Sequence, residues 1–226
     1  MKPTATQFMV VVQDAQGVLV QDVYQISLES QDRIWNIGRT PTDQRYGAAA
    51  CVMGNSLYAV GIGRAYNELW KWNVASDWTR CADMTSGRRY HCAAVVDSTL
   101  YALGGWVNAD RTTLSSVEAY NKHTNKWSAA GQLTHAVRHA ACVSYNNSIY
   151  VFGGVDANSK DVAHVQVYNA AQHKCTLLHN AMPRAYWGMR AVVCGGCTLY
   201  CLAARHASFT TLRLRRGRRE RRSKQM

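Results

Sequence analysis

A hydrophobic run ending in tyrosine recurs four times, as Ser56-Leu57-Tyr58, Thr99-Leu100-Tyr101, Ser148-Ile149-Tyr150 and Thr198-Leu199-Tyr200, at intervals of 43, 49 and 50 residues. Tryptophan keeps the same beat at Trp35, Trp78 and Trp127, and Cys175 holds the next matching place 48 residues on. Two independent markers with one period mean a chain built from repeats, and a period of about 40–50 residues belongs to few architectures. A unit that small cannot bury its apolar surface alone, so the fold must come from stacking neighbours.

Each unit has the same order of parts. Cys92-Ala93-Ala94-Val95-Val96, the polar turn Asp97-Ser98-Thr99 and Leu100-Tyr101-Ala102-Leu103-Gly104-Gly105 read as a hairpin of two short apolar strands. A polar loop from Trp106 to Thr113 follows. Then come Ser116-Val117-Glu118-Ala119-Tyr120 with period-two alternation, a turn at Asn121 to Asn125, and Lys126-Trp127-Ser128. The neighbouring units repeat this with Ile149 to Gly154, Val165 to Asn169 and Lys174-Cys175, and with Leu57 to Gly61, Glu68 to Asn73 and Asp77-Trp78. Helical spacing is sustained nowhere, so the sequence predicts an all-β fold with four short strands per unit.

These residues resemble the kelch repeat, through the diglycines Gly104-Gly105 and Gly153-Gly154 after an apolar strand, the Val117 to Asn121 segment, and a tryptophan seven residues after Tyr120. The resemblance covers about residues 8–204 and implies a kelch-type β-propeller, each repeat forming one four-stranded blade. Diglycine then lets the backbone turn and approach closely near the ring centre, and Tyr58, Tyr101, Tyr150, Tyr200, Trp35, Trp78 and Trp127 fill the spaces between blades. The pattern departs from the family at Gly61-Ile62-Gly63, at Ala203-Ala204, and at Cys175, which should fill its inter-blade contact less well than tryptophan.

The repeat region at 1–204 resolves into three full blades, at about 46–86, 87–136 and 137–183, and two partial ones, at 8–38 and 186–204. Phe8 to Val12 matches the second strand of a blade, with no first strand before it. Two arrangements satisfy this grammar: an incomplete ring cut from a larger propeller, or a closed four-bladed ring whose terminal strands share a blade. The duplicated second strand favours the open arc. Segment 205–226 reads as a basic, disordered tail, and an alternative C-terminus replacing further blades is one origin for it.

The net charge of +12 is concentrated there, because eight basic residues from Arg213 onward face one acid, Glu220. A solvated extension, a nuclear-localisation or nucleic-acid patch, and an origin without selected function all fit the tail. No stretch approaches the ~20 apolar residues needed to span a bilayer, and the opening residues lack a secretory pattern. The expected setting is therefore cytoplasmic or nuclear, without membrane, and with the eight cysteines as free thiols. Cys194-Gly195-Gly196-Cys197 has metal-like spacing, but its glycines align with the hairpin turn Asn146-Asn147, so no metal is expected. Nor do the histidines, serines and acids form a catalytic set, and no phosphate loop opens a helix. The chain is expected to be no enzyme and to need no cofactor.

One constellation recurs where each unit's first strand begins: Arg45-Tyr46, Arg88-Arg89-Tyr90, Arg138-His139 and Arg184-Ala185-Tyr186-Trp187. Arginine stacked on aromatic rings at blade junctions is one reading. The other is a partner-binding face made by these residues with Trp106, suited to an acidic peptide segment, since arginine and aromatics dominate interface hot spots. The loops at Arg64-Ala65-Tyr66, Trp106-Val107-Asn108 and Asp156-Ala157-Asn158 are a second place where specificity can reside. The resemblance implies the substrate-recognition propeller of a cullin ubiquitin-ligase adaptor, with the cullin engaged only through BTB and BACK domains. An actin-binding kelch protein is the alternative, and nucleic-acid association through the tail a further one.

Overall fold

Short strands joined by tight polar turns pair first with their sequence neighbours, and the structure, a computed structural model, follows that rule almost throughout. It describes residues 7–13, 19–27, 34–39, 47–73, 76–179, 182–194, 198–203 and 208–213. No helix occurs among them, and so none long and apolar enough to cross a membrane. β1 (Gln7–Gln13), β2 (Leu19–Ser27) and β3 (Ile34–Arg39) form a three-stranded antiparallel sheet. β4 (Ala49–Met53), β5 (Ser56–Ile62), β6 (Glu68–Asn73) and β7 (Ser76–Arg80) form the second blade, with four strands in sequence order.

In the third blade, β8 (Cys92–Val96) and β9 (Thr99–Leu103) are followed by a two-stranded ribbon, β10 (Trp106–Val107) and β11 (Thr112–Thr113), before β12 (Ser116–Asn121) and β13 (Lys126–Gln132) complete the sheet. The ribbon replaces the plain loop expected at Trp106 to Thr113. β14 (Ala141–Tyr145), β15 (Ser148–Phe152), β16 (Val165–Asn169) and β17 (Lys174–Leu177) form the fourth blade. β18 (Arg190–Cys194), β19 (Thr198–Ala203) and β20 (Ser208–Arg213) form a three-stranded fifth sheet.

β20 pairs Leu199 with Leu212 and Thr198 with Arg213, so ordered pairing reaches past the boundary placed at Ala204 and into the segment read as a disordered tail. Its Ser-Phe-Thr-Thr-Leu run is rich in β-branched and aromatic residues but lacks the Val-Glu-x-Tyr mark that located the other third strands. Residues 195–197, 204–207 and 214–226 lie outside the described residues. Successive blades meet through their first strands, β4 with β8, β8 with β14 and β14 with β18. Among the described residues the first and last sheets do not pair with each other. The propeller is thus an open arc, not a ring closed by a blade shared between its ends.

The apolar cores lie between blades, not within them. Successive strand residues face opposite sides of a sheet, so Leu100 and Ala102 of β9 join Tyr58, Val60, Leu69 and Met84 of the second blade. Tyr101 and Leu103 join Ile149, Val151 and Tyr168 of the fourth. A third cluster sets Ala141, Phe152 and Val165 against Met189, Ala191 and Val193 of the fifth. The tyrosine beat has its place here: Tyr58 faces Tyr120 with ring centroids 6.3 Å apart, and Tyr101 faces Tyr168 at 5.7 Å. Trp127 donates from Nε1 to the Ala82 carbonyl across the junction at 2.9 Å. Cys175, at the matching place, packs partly buried against the next core. Trp78 and Tyr150 are half-buried, and Trp35 and Tyr200 take their places on β3 and β19 by backbone register.

One charged pair is sealed at the junction of the second and third blades. Arg88 is fully buried and donates to Glu118 Oε1 at 2.5 Å, to the Ser116 and Gly104 carbonyls at 2.9 and 3.1 Å, and to Ser116 Oγ. Glu118 also accepts from the amides of Thr85 and Ser86, fixing the loop that enters the blade. Burial lowers the Arg88 pKa against the opposing pull of Glu118. In the fourth blade the same two places hold Val137 and Gln166, and Gln166 makes paired bonds with the His135 backbone. Arg88→Val alone should cost about 3–5 kcal/mol, because it leaves a buried carboxylate without its cation. The double change Arg88→Val with Glu118→Gln, copying the fourth blade, should recover more than half of that loss in urea melts.

His91 is wedged against two glycines: a Cβ on Gly61 would lie 2.5 Å from its ring, and one on Gly105 2.7 Å from its Cβ. Burial, and secondarily the charge of Arg88, lowers its pKa to about 3. The unfolded chain therefore takes up a proton that the fold refuses. Stability should fall as pH drops from about 6.5 toward 3, by up to about 1.4 kcal/mol per pH unit. Ala48 and Ala140 hold the equivalent places, so His91→Ala should flatten this part of a stability-against-pH profile measured by denaturant titration.

Candidate functional site

Because β8 and β9 run antiparallel, the segment entering β8 and the one leaving β9 emerge at the same end of the blade, and the same holds in each unit. Along that end the backbone makes a ladder from blade to blade. Tyr90 N–H donates to Gly47 O at 2.7 Å, His139 N–H to Tyr90 O at 2.9 Å, and Gly188 N–H to His139 O at 2.9 Å. All four residues have positive φ, at 97°, 56°, 55° and 67° in chain order. The diglycines add a second tie: Gly105 N–H donates to Val137 O and Gly154 N–H to Tyr186 O, each at 2.8 Å. A Cβ on Gly104, at φ 62°, would stand 2.5 Å from Val137 O, which is why glycine is needed there.

The ladder fixes the register between units and corrects the sequence alignment. Gly47, Tyr90, His139 and Gly188 are equivalent, so Arg89 matches Arg138, and Arg88 matches Val137. His91 and His139 are one position apart in role: His91 is interior, and His139 lies on the ladder. Arg88 is withdrawn from the partner-binding set, because its guanidinium is consumed inside the junction. Arg45 and Tyr46 lie outside the described residues. Arg184 is exposed, while Tyr186 is partly buried and packs against the third core.

The remaining five candidates converge. Arg89 and Trp106 exchange backbone hydrogen bonds at 3.1 and 2.8 Å. The Arg89 guanidinium lies 4.3 Å from the Trp106 ring centroid, 5.1 Å from Tyr90 and 5.6 Å from Tyr66. Tyr90 stacks on His139 at 3.9 Å with 24° between the rings, and His139 meets Trp187 edge-on at 5.3 Å. Arg138 lies 5.8 Å from the Trp106 centroid and donates to Thr113 Oγ1 at 2.6 Å, to Asp156 O at 3.2 Å and to Ser159 Oγ at 3.1 Å. Burial first, then Arg138 and Arg89, lowers the His139 pKa. Tyr66, from the loop named as a second place for specificity, and Trp187, which ends the Arg184 to Trp187 run, complete the patch.

This patch is rich in cation, ring and hydrogen-bond donors, on a rim where several loops meet. It can hold an anionic, partly apolar segment by stacking and charge-assisted hydrogen bonds. Tyr90 and His139 hold left-handed backbone where the flanking units use glycine, a conformation that costs a non-glycine residue about 1 kcal/mol or more.

The propeller match is also one of sequence family. The family model of the Attractin/LZTR1 β-propeller matches residues 13–201, and the chain belongs to that family. It is a kelch-type propeller resembling the C-terminal domains of BTB-kelch proteins. It is 32% identical over 178 residues to human Kelch repeat and BTB domain-containing protein 4, covering 73% of this chain and 33% of that protein. It is 23% identical over 188 residues to Kelch-like protein 25 of Xenopus tropicalis, covering 78% and 32%. The chain thus spans about a third of the length of these relatives. The solved structure of YjhT shares the fold, with a TM-score of 0.72 and 15% identity over 88% of this chain and 73% of that one.

The ladder can be tested apart from any ligand. Tyr90→Gly or His139→Gly keeps the N–H and suits the positive φ, so thermal melts should place each within about 1 kcal/mol of the parent. His139→Pro removes the donor and forbids the φ, and should cost at least about 3 kcal/mol.

Proposed function

We propose that the chain is a non-catalytic protein-recognition propeller that receives a peptide segment of its partner across the Arg89, Tyr90, Trp106, Arg138 and His139 face. One observation carries this reading: two guanidinium groups and a line of stacked rings share a rim built from backbone held in a strained conformation. Arginine and aromatic side chains give most of the free energy at protein interfaces. The groups with displaced titration point away from catalysis, since Cys51 is pushed up to about 12 and His91 down to about 3, chiefly by burial. Burial there favours the neutral, unreactive form.

The names of its relatives support a more specific setting. On this reading the propeller selects the substrate of a cullin ubiquitin ligase in the cytoplasm, and the cullin is engaged by BTB and BACK domains, not by the propeller. The test is quantitative pull-down from cytoplasmic extract with the parent chain, Arg89→Ala, Arg138→Ala, and Lys122→Ala on an outer turn as control. Partners of the face should fall by about tenfold or more with Arg89→Ala and by less with Arg138→Ala, and should persist with Lys122→Ala. Partner sets unchanged in both arginine variants would remove this face from the function.

A further inference from the structure

Arg89 and Arg138 hold equivalent positions in adjacent blades, yet their hydrogen-bonding states differ. Arg138 spends its terminal nitrogens on Thr113, Asp156 and Ser159. Arg89 makes no ion pair among the described residues, and its Nε is buried without a hydrogen-bond partner. Three rings, from Tyr66, Tyr90 and Trp106, surround it. Rings stabilise the cation but leave its in-plane N–H donors unused, and a buried donor without an acceptor is costly. One guanidinium with free donors between apolar walls matches one carboxylate, which accepts two parallel N–H bonds in the guanidinium plane.

Resting on the peptide-binding reading above, we infer that Arg89 receives a single carboxylate side chain of the bound segment, and that this carboxylate binds together with a proton on His139. The imidazole of His139 stacks on Tyr90, the same ring that lies beside the Arg89 guanidinium. Its other neighbours are Trp187 at its edge and Arg138 in its own loop. Burial disfavours its protonation most, and the cations Arg138 and Arg89 add to that. A carboxylate seated on Arg89 neutralises one of them, so proton uptake becomes easier when the site fills. By linkage the affinity rises as pH falls, as long as the glutamate carboxyl, with its ordinary pKa of ~4.3, stays ionised. Phosphate is the poorer occupant, because the second guanidinium that a dianion calls for already has its terminal nitrogens engaged by protein oxygens.

The experiment is NMR on the full chain, following the His139 ring and the Arg89 Nε–H between pH 7.5 and 5.5. The probes are a capped glycine–glutamate–glycine tripeptide, its glutamine counterpart and inorganic phosphate. The glutamate tripeptide should shift the Arg89 Nε–H, raise the His139 titration midpoint by about half a pH unit or more, and bind tighter at pH 5.5 than at 7.5, by up to about threefold for each half unit of that rise. The glutamine tripeptide and phosphate should do neither. His139→Gln should keep the binding and lose its pH dependence, while Arg89→Gln should lose the binding with the Tyr90 and His139 signals retained. An unmoved His139 midpoint with the tripeptide bound, equal response to the glutamine form, tighter binding of phosphate, or no tripeptide binding would each overturn the inference. If pull-down partners still depend on Arg89 in that case, the face stands and only the proton-linked carboxylate site falls. If they do not, the face itself has failed.

Discussion

The backbone ladder through Gly47, Tyr90, His139 and Gly188 is the constraint on which the rest of the molecule depends. Each blade pairs fully with itself, so something else must set how far and at what angle the next blade stands. Apolar packing between sheets is strong but non-directional. The ladder and the diglycine N–H bonds to Val137 and Tyr186 supply direction, fixing the near ends of the first strands to one another. The close approach is achieved by leaving out a Cβ at Gly104 and Gly153, where one would stand 2.5 and 2.6 Å from the next carbonyl. Hydrogen bonds of this kind are worth only about 1 kcal/mol each, so their role is to choose one packing among the many that inter-blade burial alone would allow.

At the ladder's flank, equivalent positions are solved in two ways. The second-to-third junction uses Arg88 with Glu118, and the third-to-fourth uses Val137 with Gln166. Both satisfy the loop amides that precede the first strand. The charged version does so with two acceptor oxygens and a cation, the neutral version with one amide that both accepts and donates. A buried ion pair seldom gains stability over a well-packed neutral alternative. What Arg88 adds is connectivity, since it also ties down the Gly104 and Ser116 carbonyls of its own blade.

The repeat was legible because its marks are conformational or large: diglycines, tyrosines at inter-blade contacts, tryptophans at the outer strands. A period alone fixes which strands pair, and the three complete blades follow from it. What stayed hidden was a shift of one residue. Arg88, Arg89 and Arg138 carry the same letter, yet one lies inside a junction and two lie on the rim, and only the positive φ of Tyr90 and His139 shows which is which. Propensity reads a non-glycine residue as ordinary backbone, so no sequence rule placed His139 opposite Gly47. β20 escaped for a related reason: pairing with β19 is enough to make Ser208–Arg213 a strand, with no family mark required.

Position on the rim also explains how a site made of small contacts can matter to the whole arc. Tyr66 belongs to the loop after β5, Tyr90 and Trp106 to the third blade, and His139 and Arg138 to the segment entering the fourth. A ligand seated among them touches three successive units at the end where the ladder joins them. The binding free energy of such a ligand would be added to the junctions themselves, stabilising the occupied state with the logarithm of ligand concentration over Kd. In an open arc, where neighbouring blades rest only on their seams, that added tie acts where the architecture has least redundancy. Under the proposed function, recognition and blade assembly meet at the same few residues, and the left-handed conformations of Tyr90 and His139 place their rings where the two would meet.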